Sequence, residues 1–172
     1  MAMLLLGLLA AQTGWAAEEA GLLQIQVGEK VIFCSARLPV DADQFRLPMQ
    51  DGIAVVTQWH LKIGKVRNYW LNKTIGEITV IRRVEPDLLS HSWLLLDVNS
   101  GISHRVYQIK AAVDFLTRLD QFPILDRSLL LAGLQYNAVV NIEIHIGDVN
   151  DAWWAGLWPS TANAMQQDFK LP

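Results

Sequence analysis

LQYNAVVNIEIHIG, Leu134 to Gly147, alternates apolar and polar side chains over most of its length. Leu134, Tyr136, Ala138, Val140, Ile142, Ile144 and Ile146 point one way; Gln135, Asn137, Val139, Asn141, Glu143 and His145 point the other. A period of two sustained this far is a β-strand with one face buried. GIAVVTQWHLKIGKV, Gly52 to Val66, repeats the pattern: Ile53, Val55, Trp59, Leu61 and Ile63 share a face with Thr57, opposite Gln58, His60 and Lys62. Two such strands predict a sheet with one side on the core and one in water.

Working outward, LLQIQVGEKVIFCSARL reads as two short strands around a turn at Gly28–Glu29, a glycine-first hairpin signal. DADQFRLPMQDG allows one short helix or turn, with Asp41 and Asp43 as caps and Pro48 and Gly52 as stops. RNYWLNKT is a connection carrying two aromatics, and Ile75–Val84 is strand-like until Pro86, which cannot donate to a ladder. HSWLLLDV and ISHRVYQI form a hairpin through Asn99-Ser100-Gly101, which sets Leu95 opposite His104 and His91 opposite Gln108. Trp93 to Val98 is apolar on both faces and predicts a central strand covered twice. In KAAVDFLTRL the period changes: Ala112, Phe115, Leu116 and Leu119 make a helical stripe, stopped at FPILD. The tail from Asp148 has no assignable pattern.

Strands joined by tight turns, with no alternating βα units, predict a mainly β, α+β domain. The expected architecture is an antiparallel β-sandwich with one helix late in the chain and a short one early. A chain of 172 residues holds a single domain of this kind, placed over 22–172.

The remainder of the composition bounds the function. A net charge of -3 and a pI of 5.7 provide no basic field for nucleic acid. The one cysteine, Cys34, forms no intramolecular disulfide and reads as a small buried apolar residue. The hydrophobic fraction of 52% and mean hydropathy of +0.22 owe part of their height to the N-terminus. There Met1–Ala11 is apolar, Gly14 and Ala16 stand in a small-x-small arrangement, and Glu18–Glu19 follow. This reads as a signal peptide over residues 1–16, although no Lys or Arg precedes the run. The run is shorter than the roughly 20 residues of a membrane span. The expected location is periplasmic, with a membrane-anchored form if the signal stays uncleaved.

Glu143 and His145, two apart on the polar face, raise the question of a metal or acid–base site. His60, His91 and His104 are the other histidines, and none completes a metal spacing, so a solvated strand face is the expectation. No G-x-S-x-G elbow, P-loop or G-x-G-x-x-G occurs, and no cofactor is implied. Asp87, Asp97, Asp120 and Asp126 fall among turn signals and suit turns and caps. Beyond Trp15, the tryptophans are Trp59, Trp70, Trp93, Trp153, Trp154 and Trp158. Trp59 and Trp93 sit in strand patterns and belong in the core. Tyr69, Trp70, Trp153, Trp154 and Trp158 lie in irregular stretches, where aromatics either seal a sandwich end or bind a sugar, a partner or a membrane surface.

The order DGIAVVTQWHLKIGKVRNYW, SWLLLD, AAVDFL, LDRSLL, LQYNAVVNIEIHI, with Gly52–Ile53, Trp70, Ala112, Leu116 and Tyr136, resembles the DUF4390 family of exported proteobacterial proteins. Two departures stand out: Ile109–Lys110 replaces a polar helix cap, and DVNDAWWAGLW replaces a proline-containing segment after the last strand. The resemblance implies no assigned activity and no catalytic residues; it implies an association with a membrane sensor kinase. Three functional readings follow. The first is a non-enzymatic domain that binds an envelope protein partner, with the aromatics as its contact residues. The second is a lipid or glycan carrier. The third is a hydrolase using Glu143, His145 or His60.

Overall fold

The computed structural model describes residues 22–67, 71–147 and 163–171. β1 (Leu22–Val27) and β2 (Val31–Arg37) form the anticipated hairpin, closed by Gly28 N–H donating to the Val31 carbonyl at 3.0 Å. α1 (Asp43–Gln50) follows, its entry held by Asp41 Oδ1, which accepts the N–H of Asp43. Next come β3 (Val55–Lys65), β4 (Lys73–Asp87), β5 (Ser92–Asp97) and β6 (Ile102–Val106). α2 (Ile109–Thr117) runs without a loop into β7 (Arg118–Asp126), and β8 (Gln135–Ile146) and β9 (Asn163–Lys170) complete the fold.

All pairings are antiparallel and make two sheets, ordered β1-β2-β7 and β6-β5-β4-β3-β8-β9. The two strands with the cleanest alternation, β3 and β8, lie side by side, Trp59 opposite both Val80 and Ile142. Their apolar faces form the core with Val80, Val84 and Leu95, as period-two burial requires. The small sheet packs on the β9-β8-β3 part of that face: Ile25 N–H donates to Gln167 Oε1 at 2.8 Å on one side. On the other side β7 meets β4, where a β-carbon on Gly76 would come within 2.6 Å of Leu125 Cδ1. The helices cover the rest, α2 lying against β4, β5 and β6.

Two polar ties fix α2. Trp59 Nε1 donates to Thr57 Oγ1 at 3.3 Å, and Thr57 Oγ1 donates to the Leu116 carbonyl at 3.1 Å, so one buried hydroxyl serves both groups. Arg82 of β4 donates through Nη1 to the carbonyls of Phe115 (2.8 Å) and Arg118, with its guanidinium 4.7 Å from the Phe115 ring centroid. The last turn of α2 has no basic residue of its own, so Arg82 supplies the cation that a helix C-terminus favours.

Several sequence expectations need correction. Pro48 does not stop α1 but lies inside it; Gly52, at φ +80°, ends the turn that follows. Pro86 lies within β4, opposite Trp93, beyond the first residue of β3, where β4 has a neighbour on one flank only. FPILD belongs to β7, and Leu119 is buried from that strand and not from α2. β5 is next to the sheet edge; Leu95 is buried, while Leu94 and Leu96 are half-buried on the opposite face. The hairpin register holds as expected at Leu95, which pairs with His104, but His91 stays in the preceding turn. Cys34 is fully buried, and desolvation pushes its thiol up to about 12. Residues 1–16, Tyr69, Trp70, Trp153, Trp154 and Trp158 lie outside the described residues.

Candidate functional site

The polar face of the large sheet answers the question raised by Glu143 and His145. Across the β3–β8 ladder, Glu143 faces Gln58, His60 faces Asn141 and Val56 faces His145, so the carboxylate stands diagonally from His60. His60 Nε2 lies 3.9 Å from Glu143 Oε1, and His145 Nε2 lies 3.7 Å from Glu143 Oε2. His60 Nδ1 is 3.0 Å from Thr79 Oγ1. Because each imidazole addresses a different carboxylate oxygen, the two flank Glu143 and do not converge on one point. Among the described residues no group of three could hold a metal ion. Backbone N–H groups of β3 are committed to ladders on both sides, which leaves no local donor pair to stabilise an oxyanion. The cluster lies on the polar side of a sheet, with both imidazoles beyond hydrogen-bond distance of the carboxylate they flank.

A different kind of surface forms at the end of the sheet where β3 begins, β4 and β8 end and α1 stops. Leu47, Ile53, Leu88, Leu89 and Ile146 are 59%, 39%, 56%, 97% and 54% exposed there. Scattered exposed leucines need no explanation, but apolar side chains gathered at one end of a domain mark contact surfaces. Local chemistry holds them in place. Leu88 lies over Gly52, whose missing β-carbon would sit 2.9 Å from Leu88 Cδ1.

The turn that carries Leu88 and Leu89 is clamped by polar groups. Asp87 Oδ1 accepts the N–H groups of Leu89 (3.1 Å) and Ser90 (3.2 Å). Arg105 Nη1 donates to Asp87 Oδ2 (2.8 Å), Ser90 Oγ (2.9 Å) and Ser92 Oγ (3.0 Å). Hydrogen bonds from Ser90, then from Arg105, hold the Asp87 carboxyl down at about 2. A side chain that is 97% exposed is thus displayed on a turn fixed by a network around one carboxylate.

Beside the turn is a cavity of about 220 Å³ lined by Met49, Gln50, Pro86, Leu88, His91 and Trp93, among others. Among the described residues Trp93 Nε1 is buried without a hydrogen-bond partner, as are Arg82 Nε and His145 Nε2 elsewhere. His91 holds φ +48°, left-handed backbone that a residue with a β-carbon adopts at a cost. A larger and more polar groove of about 440 Å³ crosses the outer face of the small sheet, where Gln24, Gln26, Ser35, Arg118 and Gln121 meet. Gln121 N–H donates to Ser35 Oγ at 3.0 Å across a break in the β2–β7 register.

The expected turn and cap roles hold for Asp87, for Asp97, which accepts from Ser100 N–H at 3.0 Å, and for Asp126, which accepts from Ser128 N–H at 2.8 Å. Asp120 instead stands 3.8 Å from Arg118. Trp59 is fully buried as expected; Trp93 packs on the core but also lines the cavity. Leu88 and Leu89 were not singled out by sequence, and His91 was weighed only as a metal ligand and a hairpin position. A usable signal existed: Leu88–Leu89 is an apolar pair inside a turn segment bounded by Pro86-Asp87 and Ser90, where polar residues are the rule.

Two antiparallel sheets and two helices make this a mainly β domain whose exposed apolar residues collect at one end. The chain belongs to DUF4390, a family described as a domain of unknown function, whose model matches residues 19–150. That match ends before β9, which nonetheless extends the large sheet by pairing with β8. No curated protein and no solved structure matches the chain.

Proposed function

We propose that this protein is an exported, non-enzymatic binding domain of the periplasm that docks onto an envelope protein, with a membrane sensor kinase as the partner class its family resemblance suggests. The observation that carries this reading is the display of Leu88 and Leu89 on the turn clamped by Asp87 and Arg105. Holding an apolar side chain in water on an ordered turn does nothing for the core; it lowers the entropy cost of a contact made elsewhere. The apolar N-terminal run before Gly14 and Ala16 supports export.

The test is photo-crosslinking in the cell. A photoreactive side chain at position 89 is expected to capture one envelope protein, and the same group at Lys62, on the opposite polar face, to capture none. Equal capture from both positions, or none from position 89, removes the docking reading.

The second reading, a glycan carrier, is favoured by the amide, hydroxyl and guanidinium groups around the 440 Å³ groove. Side chains of this type hydrogen-bond sugar hydroxyls from a pre-formed surface. Native mass spectrometry of protein purified from its host checks it; repeated preparations without a bound saccharide, and no binding to envelope glycans, count against it.

A further inference from the structure

We infer that β6 is a dimerisation edge: two copies of the chain pair β6 to β6, antiparallel, about a two-fold axis at His104, and join their large sheets into one. This stands independently of the docking reading above.

Among the described residues the edge strands of the sheets are β1, β7, β9 and β6. An unpaired edge is a template for another strand, and folds guard theirs with cover, bulges, proline or lysine. Three of these edges are guarded. β1 and β9 face each other, with Gln167 Oε1 taking the outward N–H of Ile25. β7 carries Pro123, shifts in register and the left-handed backbone of Gln121. β6 has none of these devices. It pairs with β5 in unbroken register and is exposed from Ile102 to Arg105. Arg105 is drawn back to Asp87 (2.8 Å), Ser90 and Ser92. Ile102, 66% exposed, and Tyr107, 72% exposed, add apolar surface to the two ends of this edge.

Parity shows which backbone groups are open. Val98 N–H donates to the Ile81 carbonyl at 2.9 Å, so β5 turns alternate residues to β4 and turns Trp93, Leu95 and Asp97 to β6. Opposite these stand Val106, His104 and Ile102. The N–H and C=O groups of Ser103 and Arg105 therefore point away from the sheet. A second β6 has to meet those groups, which leaves few registers. Arg105 against Arg105 opposes like charges. Ser103 against Ser103 runs Arg105 onto Gly101, which holds φ +70° in the turn. Ser103 against Arg105 of the second copy uses the whole strand: each such pair exchanges both backbone bonds, Ile102 meets Val106, and His104 meets His104. The same register brings Tyr107 beside Gly101 of the second copy. Nothing lies within 4 Å of the β-carbon position there, so an aromatic ring has room to cover the glycine.

The experiment uses the purified full chain in sedimentation velocity and oxidative crosslinking. One short strand makes a contact of the weak class, and a monomer–dimer equilibrium with a Kd of about 10–100 μM is expected. Ser103→Pro removes an outward donor and leaves the β5 ladder its bonds; it is expected to raise the Kd at least about tenfold with an unchanged circular dichroism spectrum. Ile102→Lys is expected to act in the same direction, and carries the test if the proline variant does not fold. The register has its own check. Residues opposed in a non-hydrogen-bonded pair have Cα atoms about 4.5 Å apart, within disulfide reach. His104→Cys is expected to form an intermolecular disulfide on mild oxidation; Ile102→Cys and the unaltered chain, whose Cys34 is buried, are not. A chain that stays monomeric at about 1 mM overturns the proposal. So does a dimer indifferent to either folded variant, or a His104→Cys variant that crosslinks no faster than Ile102→Cys. A photoreactive group at position 103 that captures another envelope protein and no second copy assigns the edge to a foreign strand, and overturns the dimer as well.

Discussion

Trp59 and Trp93 point into the same side of the same sheet, two strands apart, and their surroundings differ in every respect that matters. Trp59 is fully buried, its N–H goes to Thr57 and through that hydroxyl to α2, and the chain of bonds ends on a helix carbonyl. Trp93 is half-buried, its N–H is unpaired, and beside it are a strained His91 and two exposed leucines. Among the described residues the Trp59 donor is satisfied within the fold, whereas at the β4–β5 end the Trp93 donor has no partner and an apolar surface stays exposed.

The strongest way to break that contrast is to remove the first tryptophan. Trp59→Ala is expected to destabilise the domain by about 3–5 kcal/mol, the usual cost of emptying a large buried site, read from urea denaturation. A smaller loss than Trp93→Ala produces would mean that the two sites are not structural and peripheral in the sense argued.

Arg82 comes next, as the cation closing the helix that Trp59 helps anchor. Arg82→Met keeps the apolar stem and removes the donors, and is expected to cost about 2–3 kcal/mol by the same measurement. A neutral outcome would show that water satisfies the Phe115 and Arg118 carbonyls as well as the guanidinium does.

The paired Trp→Phe substitutions sharpen the comparison further. Trp59→Phe removes the donor to Thr57 Oγ1, which keeps its own bond to the Leu116 carbonyl, and shrinks a packed side chain, for about 1–2 kcal/mol; Trp93→Phe removes a donor that has no partner among the described residues and is expected to change stability by under about 0.5 kcal/mol. Comparable losses in the two variants would place an acceptor near Trp93 in solution.

The smallest effect concerns the clamp. Asp87 is held at about 2, against 3.8 for the free side chain. Its folded pKa is depressed, so the stability it contributes is present above about 3.8 and is lost as pH falls through about 2. Asp87→Asn is therefore expected to flatten the acid limb of the stability curve between those values, with little change in its shape near neutrality. An unchanged acid limb would mean that the turn is not held through this carboxylate.

Much of the architecture was readable from the sequence because it rests on local period. β3 and β8 announce themselves through alternation, and the Asn99-Ser100-Gly101 turn sets Leu95 opposite His104 by counting alone. β7 was missed because its alternation is broken: Pro123 sits in it, its pairing with β2 shifts register twice, and Gln121 holds φ +45°. β9 was missed because it is an edge strand, polar at Gln166, Asp168 and Lys170, with Met165 as its buried apolar residue. The prolines misled in the same way. Pro48 and Pro86 are breakers in general, but α1 continues through Pro48 although its ring removes the helical donor to the Gln44 carbonyl, and Pro86 sits on a strand past the end of one neighbour.

By itself, the sequence determined a mainly β chain with an inner and an outer face to its long strands, an early hairpin, a late helix and an apolar N-terminal run. It placed His60, Glu143 and His145 on the watered side, because side-chain direction in a strand follows from residue parity. Only the tertiary structure decided which apolar groups stay uncovered. Leu88, Leu89 and Trp93 look in sequence like any other apolar residues near a strand. Burial is a property of what packs on top, and at that end α1 stops at Gln50 and β3 starts at Val55 before the surface is closed. The Trp59 N–H finds its acceptor in Thr57 of the same strand, and it is the partner of that hydroxyl, the Leu116 carbonyl, that comes from another element; among the described residues none accepts from Trp93.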